Sequence, residues 1–197
     1  MGDTVTPNIG DDAPLSESKR SDDREAARRS IAQPVGDTLV AKTVTIGRPR
    51  QELYDYWRAL ERLPSFMENV VTIDPLGGGR YRWVVKAPAG KTVEWIAAIT
   101  EDVPGETIGW ASEDGADVPN SGQVKFRDAP GGRGTWVTAT ILYDPPRGAV
   151  GRIIAKLFQR EPAIQARRDL RRFKQLMETG EIATAARNLR EYAEETD

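Results

Sequence analysis

Residues 92–112 have the sequence TVEWIAAITEDVPGETIGWAS, and this stretch sets the architecture of the chain. Large apolar residues recur at every second position on either side of a Val-Pro-Gly turn at 103–105. A period of two is typical of a strand with one buried face, and a Pro-Gly pair is typical of a tight turn. The stretch therefore predicts two antiparallel strands, 92–101 and 107–112, joined as a hairpin.

The same alternation extends in both directions along the chain. With the hairpin, further predicted strands complete a seven-stranded antiparallel sheet; they lie at 39–46, 70–74, 81–86, 122–128 and 135–143. The apolar parity of the strands after residue 80 assigns the following residues to the core-facing side: Tyr81, Trp83, Val85, Val93, Trp95, Ala97, Ile99, Ile108, Trp110, Val124, Phe126, Val137, Ala139 and Ile141.

Two short helices are predicted between the first and second strands. Pro49 suits the first turn of a helix, and Leu53, Trp57 and Leu60 then follow at helical spacing. The stretch 63–67, which contains Pro64, interrupts this helix and is expected to begin a second short helical turn.

The C-terminal part of the chain also has helical periodicity. A helix is predicted over 149–159, and a longer one runs from Pro162 to Gly180, a glycine suited to end it. The long helix has an apolar stripe of Ala166, Leu170, Phe173 and Met177. A twisted sheet that buries one face against one long helix must curve around it. We therefore predict an α+β fold, with the curved sheet wrapped round the C-terminal helix.

The two ends of the chain differ from its middle. Residues 1–37 are polar and poor in large apolar side chains, so we predict a disordered tail, with at most a short helix over 22–31. Residues 38–180 hold all the strands and the long helix, and we predict a single domain there. Residues 181–197 are predicted to form an acidic C-terminal extension.

The composition excludes much enzyme chemistry. The 197 residues include neither His nor Cys, which removes imidazole acid–base catalysis, thiolate nucleophiles, disulfides and Cys/His metal sites. We predict no metal, no cofactor and no catalytic residue. The net charge of -2 does not favour nucleic-acid binding. The bases of the long helix lie mainly opposite its apolar stripe, as on a solvated surface.

No part of the sequence is apolar enough to predict a membrane span. The longest apolar run, Trp95–Ile99, has five residues, whereas a span needs about 20. The opening MGDTVTPNIGDD lacks the basic and apolar regions of a secretory signal. We therefore predict a cytoplasmic protein whose contact with membranes is at most transient. The sequence leaves its oligomeric state open.

Several local motifs resemble one known superfamily. The first of them are VTIGRP at 44–49, YDYWR at 54–58 and LPSFM at 63–67. Those that follow are WVVKAPAG at 83–90, VEW at 93–95, IGW at 108–110 and FKQLMETGEI at 173–182. Residues 39–182 thereby resemble the START/birch-pollen-allergen (SRPBCC) superfamily, which has the helix-grip fold. Within it, the motifs are similar to those of the bacterial polyketide cyclase/dehydrase and lipid-transport group.

This resemblance implies a hydrophobic cavity under the C-terminal helix, used across the superfamily for lipids, sterols, quinones or polyketides. Many members of the group are similar to coenzyme Q-binding START-type proteins, which bind without transforming their ligand. Polyketide cyclases instead use the pocket to steer an aldol closure. Where such members have an acidic residue after the Glu-Trp pair, this chain has Ile96, so the resemblance carries no polar function to that position.

The first functional hypothesis is a carrier of a hydrophobic small molecule. Phe66 is expected near the mouth of the cavity, and 153–158 is a candidate lid. Gly148 and Gly151 would be its hinge, although a plain turn before a helix explains them equally well. The cavity is predicted to be lined by Phe66, Tyr81, Trp83, Val85, Trp95, Ala97, Trp110, Phe126, Ala139, Ile141, Leu170 and Phe173.

Two alternatives remain open at this point. A cyclase or dehydratase needs a proton donor and acceptor in the cavity, and the predicted register offers only Tyr81 and Ser112. It places no carboxylate or lysine of the strands inward, although a slip of one residue would turn Glu94 inward. In the other alternative, the aromatic residues fill the core completely, and the protein is a packed interaction module without a ligand.

Overall fold

The structure is a computed structural model, which describes residues 21–87, 90–144 and 162–183, with side chains over 25–87, 90–144 and 164–183. The predicted helix 149–159, with its lid segment and glycine hinge, lies outside the described residues. In chain order the elements are α1 (Ser21–Arg29), β1 (Thr38–Ile46), α2 (Arg50–Arg58), the 3₁₀ helix η1 (Leu60–Ser65), β2 (Val70–Gly77), β3 (Arg80–Lys86), β4 (Thr92–Val103), β5 (Thr107–Ser112), β6 (Asn120–Asp128), the 3₁₀ helix η2 (Pro130–Gly132), β7 (Thr135–Tyr143) and α3 (Pro162–Thr179).

The seven strands form one antiparallel sheet in the order β1-β7-β6-β5-β4-β3-β2. Strands β2 to β7 each pair with their neighbour in the chain, because short turns connect them. Strand β1 then pairs with β7. The predicted α+β helix-grip architecture, with two short helices after the first strand, is confirmed. Strands β1 and β3 begin one residue earlier than predicted, and β2, β4 and β6 are longer by two or three residues.

Helices α2 and α3 and the 3₁₀ helix η1 pack on one face of the sheet, which we call the inner face. The buried cluster there combines Trp57 of α2 and Leu63 of η1 with Leu170 and Phe173 of α3. On the sheet side it includes Val44, Ile46, Ile73, Ile108, Val124, Phe126, Val137 and Ala139. The apolar stripe predicted for the long helix therefore faces the sheet. No helix within the described ranges is both long and apolar enough to span a bilayer.

Helix α3 is fixed at its C-terminal end by the loop that follows β1. Arg48 Nε donates to the carbonyl oxygen of Met177 at 2.8 Å, and the amide of Gly47 donates to Glu178 Oε1 at 2.6 Å. A cation at this end satisfies carbonyls that have no partner within the helix. Gly180 follows with a φ of 79°, as expected for a helix-ending glycine. These bonds determine where α3 lies across the sheet.

Part of the predicted N-terminal tail lies against the sheet. Within 21–37 the structure contains helix α1, and Ile31 after it is only 3% exposed. Val35 exchanges two hydrogen bonds with the Ser121 hydroxyl: its amide donates at 2.7 Å and its carbonyl accepts at 3.0 Å. Gln123 also donates to the Ser30 hydroxyl. Residues 30–37 thus give partners to polar side chains of β6.

Candidate functional site

Where the helices cover the inner face, aromatic side chains form a fully buried cluster. Phe66, Phe126 and Phe173 are each at most 1% exposed. The ring centroids of Phe66 and Phe173 lie 4.8 Å apart, and that of Trp57 lies 5.0 Å from Phe173 and 5.2 Å from Phe66. Such distances are those of a packed aromatic core. Phe66, which we expected near the mouth of a cavity, is fully buried.

A second part of the inner face is only half-buried. The side chains concerned are Tyr81, Trp83, Trp95, Trp110 and Ile141. We call this set the aromatic surface. Trp83 and Trp95 are directly paired between β3 and β4, and their rings are parallel within 8° at a centroid distance of 6.2 Å. These residues have the parity of the core, yet the protein leaves them partly accessible.

Trp110 owes its position to a glycine on the neighbouring strand. It is paired with Gly122 of β6, where a Cβ atom would lie 2.4 Å from the Trp110 ring. Real Cβ atoms do not approach other atoms so closely, so only glycine leaves room for the indole. The Trp110 Nε1–H donates to Asn120 Oδ1 at 3.2 Å. The Trp110 ring therefore lies flat against β6, and its N–H group has a hydrogen-bond acceptor.

A polar cluster of Tyr54, Arg58, Tyr81 and Asp102 adjoins the aromatic surface. Tyr54 donates to Asp102 Oδ1, Arg58 Nε donates to Asp102 Oδ2 at 2.7 Å, and Arg58 Nη1 donates to the Tyr81 hydroxyl at 3.1 Å. Burial, followed by the hydrogen bond to Asp102, raises the pKa of Tyr54 to about 12. The hydrogen bonds to Asp102 and Tyr81 raise the pKa of Arg58 above its usual value. The cluster therefore holds a permanent cation between Asp102 and Tyr81.

Asp102 reaches the inner face because β4 contains an irregularity. The pairing of β4 with β5 shifts between Ile99 and Glu101, after which Asp102 is opposite Ile108. Since directly opposed residues share a face and Ile108 is buried in the inner core, Asp102 lies on the inner side. The prediction that no strand carboxylate faces inward is wrong for this reason. The alternation of apolar and polar residues in the sequence does not indicate this shift in the pairing of β4 with β5.

The prediction that no strand lysine faces inward is also wrong. Lys42 of β1 is opposite Ala139 of β7, between the inner-face pairs Val40–Ile141 and Val44–Val137. Alternation along β1 indicates this orientation, since Lys42 lies at even spacing from the apolar Val40 and Val44. The register of β3 and β4 is as predicted: Glu94 is exposed, while its neighbour Trp95 is on the inner face.

The predicted cavity residues fall into two groups. The half-buried group consists of Tyr81, Trp83, Trp95, Trp110 and Ile141, and the buried group consists of Phe66, Val85, Ala97, Phe126, Ala139, Leu170 and Phe173. Arg58, Asp102 and Tyr54 were missed, because nothing in the sequence shows that α2 lies over the end of β4. Across the described parts of the chain, no three His, Cys, Asp or Glu side chains are grouped to hold a metal ion.

Comparison with known protein families identifies the family to which the chain belongs. The family described as "Polyketide cyclase / dehydrase and lipid transport" matches residues 46–171, from the end of β1 into α3. The chain belongs to this family. The aromatic surface and the polar cluster both lie inside the matched residues. Membership in the polyketide cyclase/dehydrase and lipid-transport family supports a ligand-binding or cyclase role and does not select between the two.

Several solved structures are similar to this chain. The Deinococcus radiodurans protein DR_A0006 is 43% identical with a TM-score of 0.60, over 73% of this chain and 100% of that one. TTHA0849 of Thermus thermophilus is 24% identical with a TM-score of 0.57, over 70% and 95%. The Zhui aromatase/cyclase of a Streptomyces species is 15% identical with a TM-score of 0.54, over 74% and 99%. The last two show the shared fold alone.

A curated relative matches over a shorter stretch. An uncharacterized 17.2 kDa protein of Streptomyces lincolnensis is 30% identical over 87 residues. The match spans 44% of this chain and 57% of that relative.

Proposed function

We propose that the protein binds or carries a small hydrophobic molecule of the lipid, quinone or polyketide class against the aromatic surface. The observation that carries the proposal is the half-burial of Trp83, Trp95 and Trp110 beside fully buried inner-face neighbours. Large aromatic rings with core parity are normally covered, and uncovered apolar area is a common mark of a binding site. A ligand that fills this space removes the rings from water.

The expected strength of binding follows from the area that is covered. Burying roughly 200 Å² of apolar surface contributes about 5 kcal/mol before the costs of association. The rings lose little conformational freedom on binding, because Trp110 is fixed by Gly122 and Asn120 and Trp83 is stacked on Trp95. A pre-formed surface of this kind supports binding without a large rearrangement.

A matched pair of tryptophan variants tests the proposal. Trp110→Phe changes a half-buried indole on the inner face, whereas Trp136→Phe changes a half-buried indole on the outer face. Calorimetric titration with 2-ethylnaphthalene should show binding to the wild type, weakened roughly fivefold in Trp110→Phe because about 40 Å² of apolar contact is lost. Trp136→Phe should bind like the wild type. Equal affinities of the two variants would contradict the proposal.

The second candidate is a cyclase or dehydratase of the polyketide type, and the polar cluster favours it. Donors beside an apolar surface can polarise a carbonyl group during ring closure. Both oxygens of Asp102 already accept hydrogen bonds, however, so Asp102 is poorly placed to abstract a proton. Incubating a ligand extracted from the purified protein with fresh protein separates the candidates. A carrier returns it unchanged, and a dehydratase returns a product that has lost water.

A further inference from the structure

We propose that Arg58 and Tyr81 form an oxygen-binding subsite at one end of the aromatic surface. The ligand is accordingly a hydrophobic molecule that presents a carbonyl or carboxylate oxygen to this subsite. The inference rests on the proposed function and deepens it, because it assigns the chemical class of the polar end of the ligand.

The hydrogen-bonding inventory of Arg58 leaves donors available. A guanidinium group carries five N–H donors. Nε is used by Asp102, and Nη1 is used once by Tyr81. Among residues 25–87, 90–144 and 164–183, nothing else accepts from Arg58, so both N–H groups on Nη2 remain for a ligand. The side chain is 32% exposed, which leaves room for one.

Tyr81 supplies a second donor beside the first. Its hydroxyl oxygen accepts from Arg58, so its own O–H hydrogen points elsewhere. In the described part of the chain no acceptor for that hydrogen is found. Two donor groups thus lie side by side, and an oxygen atom with two lone pairs can accept from both at once.

Asp102 and Tyr54 hold this arrangement in place. Asp102 accepts from Arg58 through one oxygen and from Tyr54 through the other, so the carboxylate fixes the guanidinium plane rather than facing the ligand. The pKa of Tyr54, raised to about 12, keeps that hydroxyl protonated as a donor. The side presented to a ligand is therefore rich in donors, which fits an oxygen acceptor and rejects an amine.

The position of the subsite relates it to the aromatic surface. Tyr81 lies two residues before Trp83 on the same face of β3, a spacing of about 7 Å. It is paired with Ala97, which lies two residues after Trp95 on β4. A molecule of two fused rings resting on the stacked Trp83 and Trp95 therefore brings a substituent at its end within reach of Arg58 and Tyr81.

The test compares probes that share one apolar body. The probes 2-acetylnaphthalene and 2-ethylnaphthalene differ in a ketone oxygen, and each is titrated calorimetrically into the full chain. We expect the wild type to prefer the ketone by at least about tenfold, since a hydrogen bond to a charged donor carries that much discrimination. A third probe, 2-naphthoate, shows whether an anionic oxygen is preferred to a neutral one.

Variants assign the preference to the subsite. Arg58→Met keeps the apolar stem of the side chain, and it should bind the ketone and the hydrocarbon with equal affinity. Tyr81→Phe should reduce the preference while the Arg58–Asp102 ion pair stays intact, which covers the case that Arg58→Met does not fold. Arg80→Met is the control, because the Arg80 side chain is on the opposite face of β3 from Tyr81 and forms a two-bond ion pair with Glu113 at 2.6 and 2.7 Å.

The outcomes are distinguishable. Equal wild-type affinity for ketone and hydrocarbon, or an equal loss of both in Arg58→Met, would overturn the subsite and leave the hydrophobic site standing. Failure of every probe to bind would overturn the proposed function and the subsite together.

Discussion

Among single residues, Gly122 has the most sharply defined role. A Cβ atom there would lie 2.4 Å from the Trp110 ring and 2.7 Å from the carbonyl oxygen of Thr140. The backbone oxygen cannot move without breaking the pairing of β6 with β7, so the ring has to give way. The position of Trp110 in the aromatic surface thus requires that residue 122 has no Cβ atom.

We predict that Gly122→Ala destabilises the protein by about 1 to 3 kcal/mol, the usual cost of overpacking a core, and shifts the Trp110 fluorescence. The measurement is urea unfolding followed by tryptophan emission. Gly47→Ala is the control, because a Cβ atom there would meet only the end of the flexible Glu178 side chain, at 3.3 Å. A loss no greater than that of Gly47→Ala would contradict the assigned role of Gly122.

The orientation of some residues could be predicted from the sequence, whereas that of others could not. Alternation correctly placed Trp83 and Trp95 on the inner face and Glu94 on the outer face, because both strands are regular there. It missed Asp102, because the shift after Ile99 is a backbone irregularity with no residue signature. Half-burial of the tryptophans was equally out of reach, since it depends on how much of the sheet the helices cover.

Among the elements, α3 is the one whose packing holds the inner face together. Phe173 lies within 5 Å of the rings of Phe66 and Trp57, measured between centroids. We predict that Phe173→Ala costs about 3 to 5 kcal/mol, because a fully buried ring is replaced by a cavity. Chemical denaturation measures this loss. Ile164→Ala on the same helix should cost under about 1 kcal/mol, since Ile164 is 49% exposed; similar losses would be inconsistent with the packing.

Helix α3 also carries a carboxyl group that should make stability depend on pH. Asp169 accepts hydrogen bonds from the Gln165 side chain, at 2.9 Å, and from the backbone of Glu68. The charge of Arg172 also acts on Asp169, and Arg172 Nε donates to the carbonyl oxygen of Phe66 at 2.9 Å. Burial is the largest influence, and it raises the pKa of Asp169 to about 6 from 3.8. The folded protein therefore retains a proton that the unfolded chain releases.

The sign of the effect follows from linkage. Between about pH 4 and pH 6 the folded state binds more protons, so the free energy of unfolding falls as pH rises through this range. We predict that Asp169→Asn removes this fall and stabilises the protein at pH 7. Denaturation curves at several pH values measure it, with the exposed Asp114→Asn as control. An unchanged slope in Asp169→Asn would show that the carboxyl group is not buried as described.

For the protein as a whole, the chain order of elements could be predicted well. The turn at Val103-Pro104-Gly105 separates two strands, and Pro162 and Gly180 lie at the two ends of the long helix. The docking of residues 30–37 on β6 could not be predicted, because that segment contributes mostly single polar bonds and only one buried side chain, Ile31. Composition identifies such a segment as polar, but it does not show which residues of the sheet form hydrogen bonds with it.

The most direct test of a hydrophobic binding site is native mass spectrometry of gently purified protein. The same sample under denaturing conditions gives the bare chain mass. The account predicts that native spectra show a non-covalent adduct that organic solvent extracts, or that one forms on addition of a long-chain fatty acid or a prenylated quinone. A bare mass under every condition, with no change in tryptophan fluorescence, would contradict it and indicate that the inner face is simply a packed core.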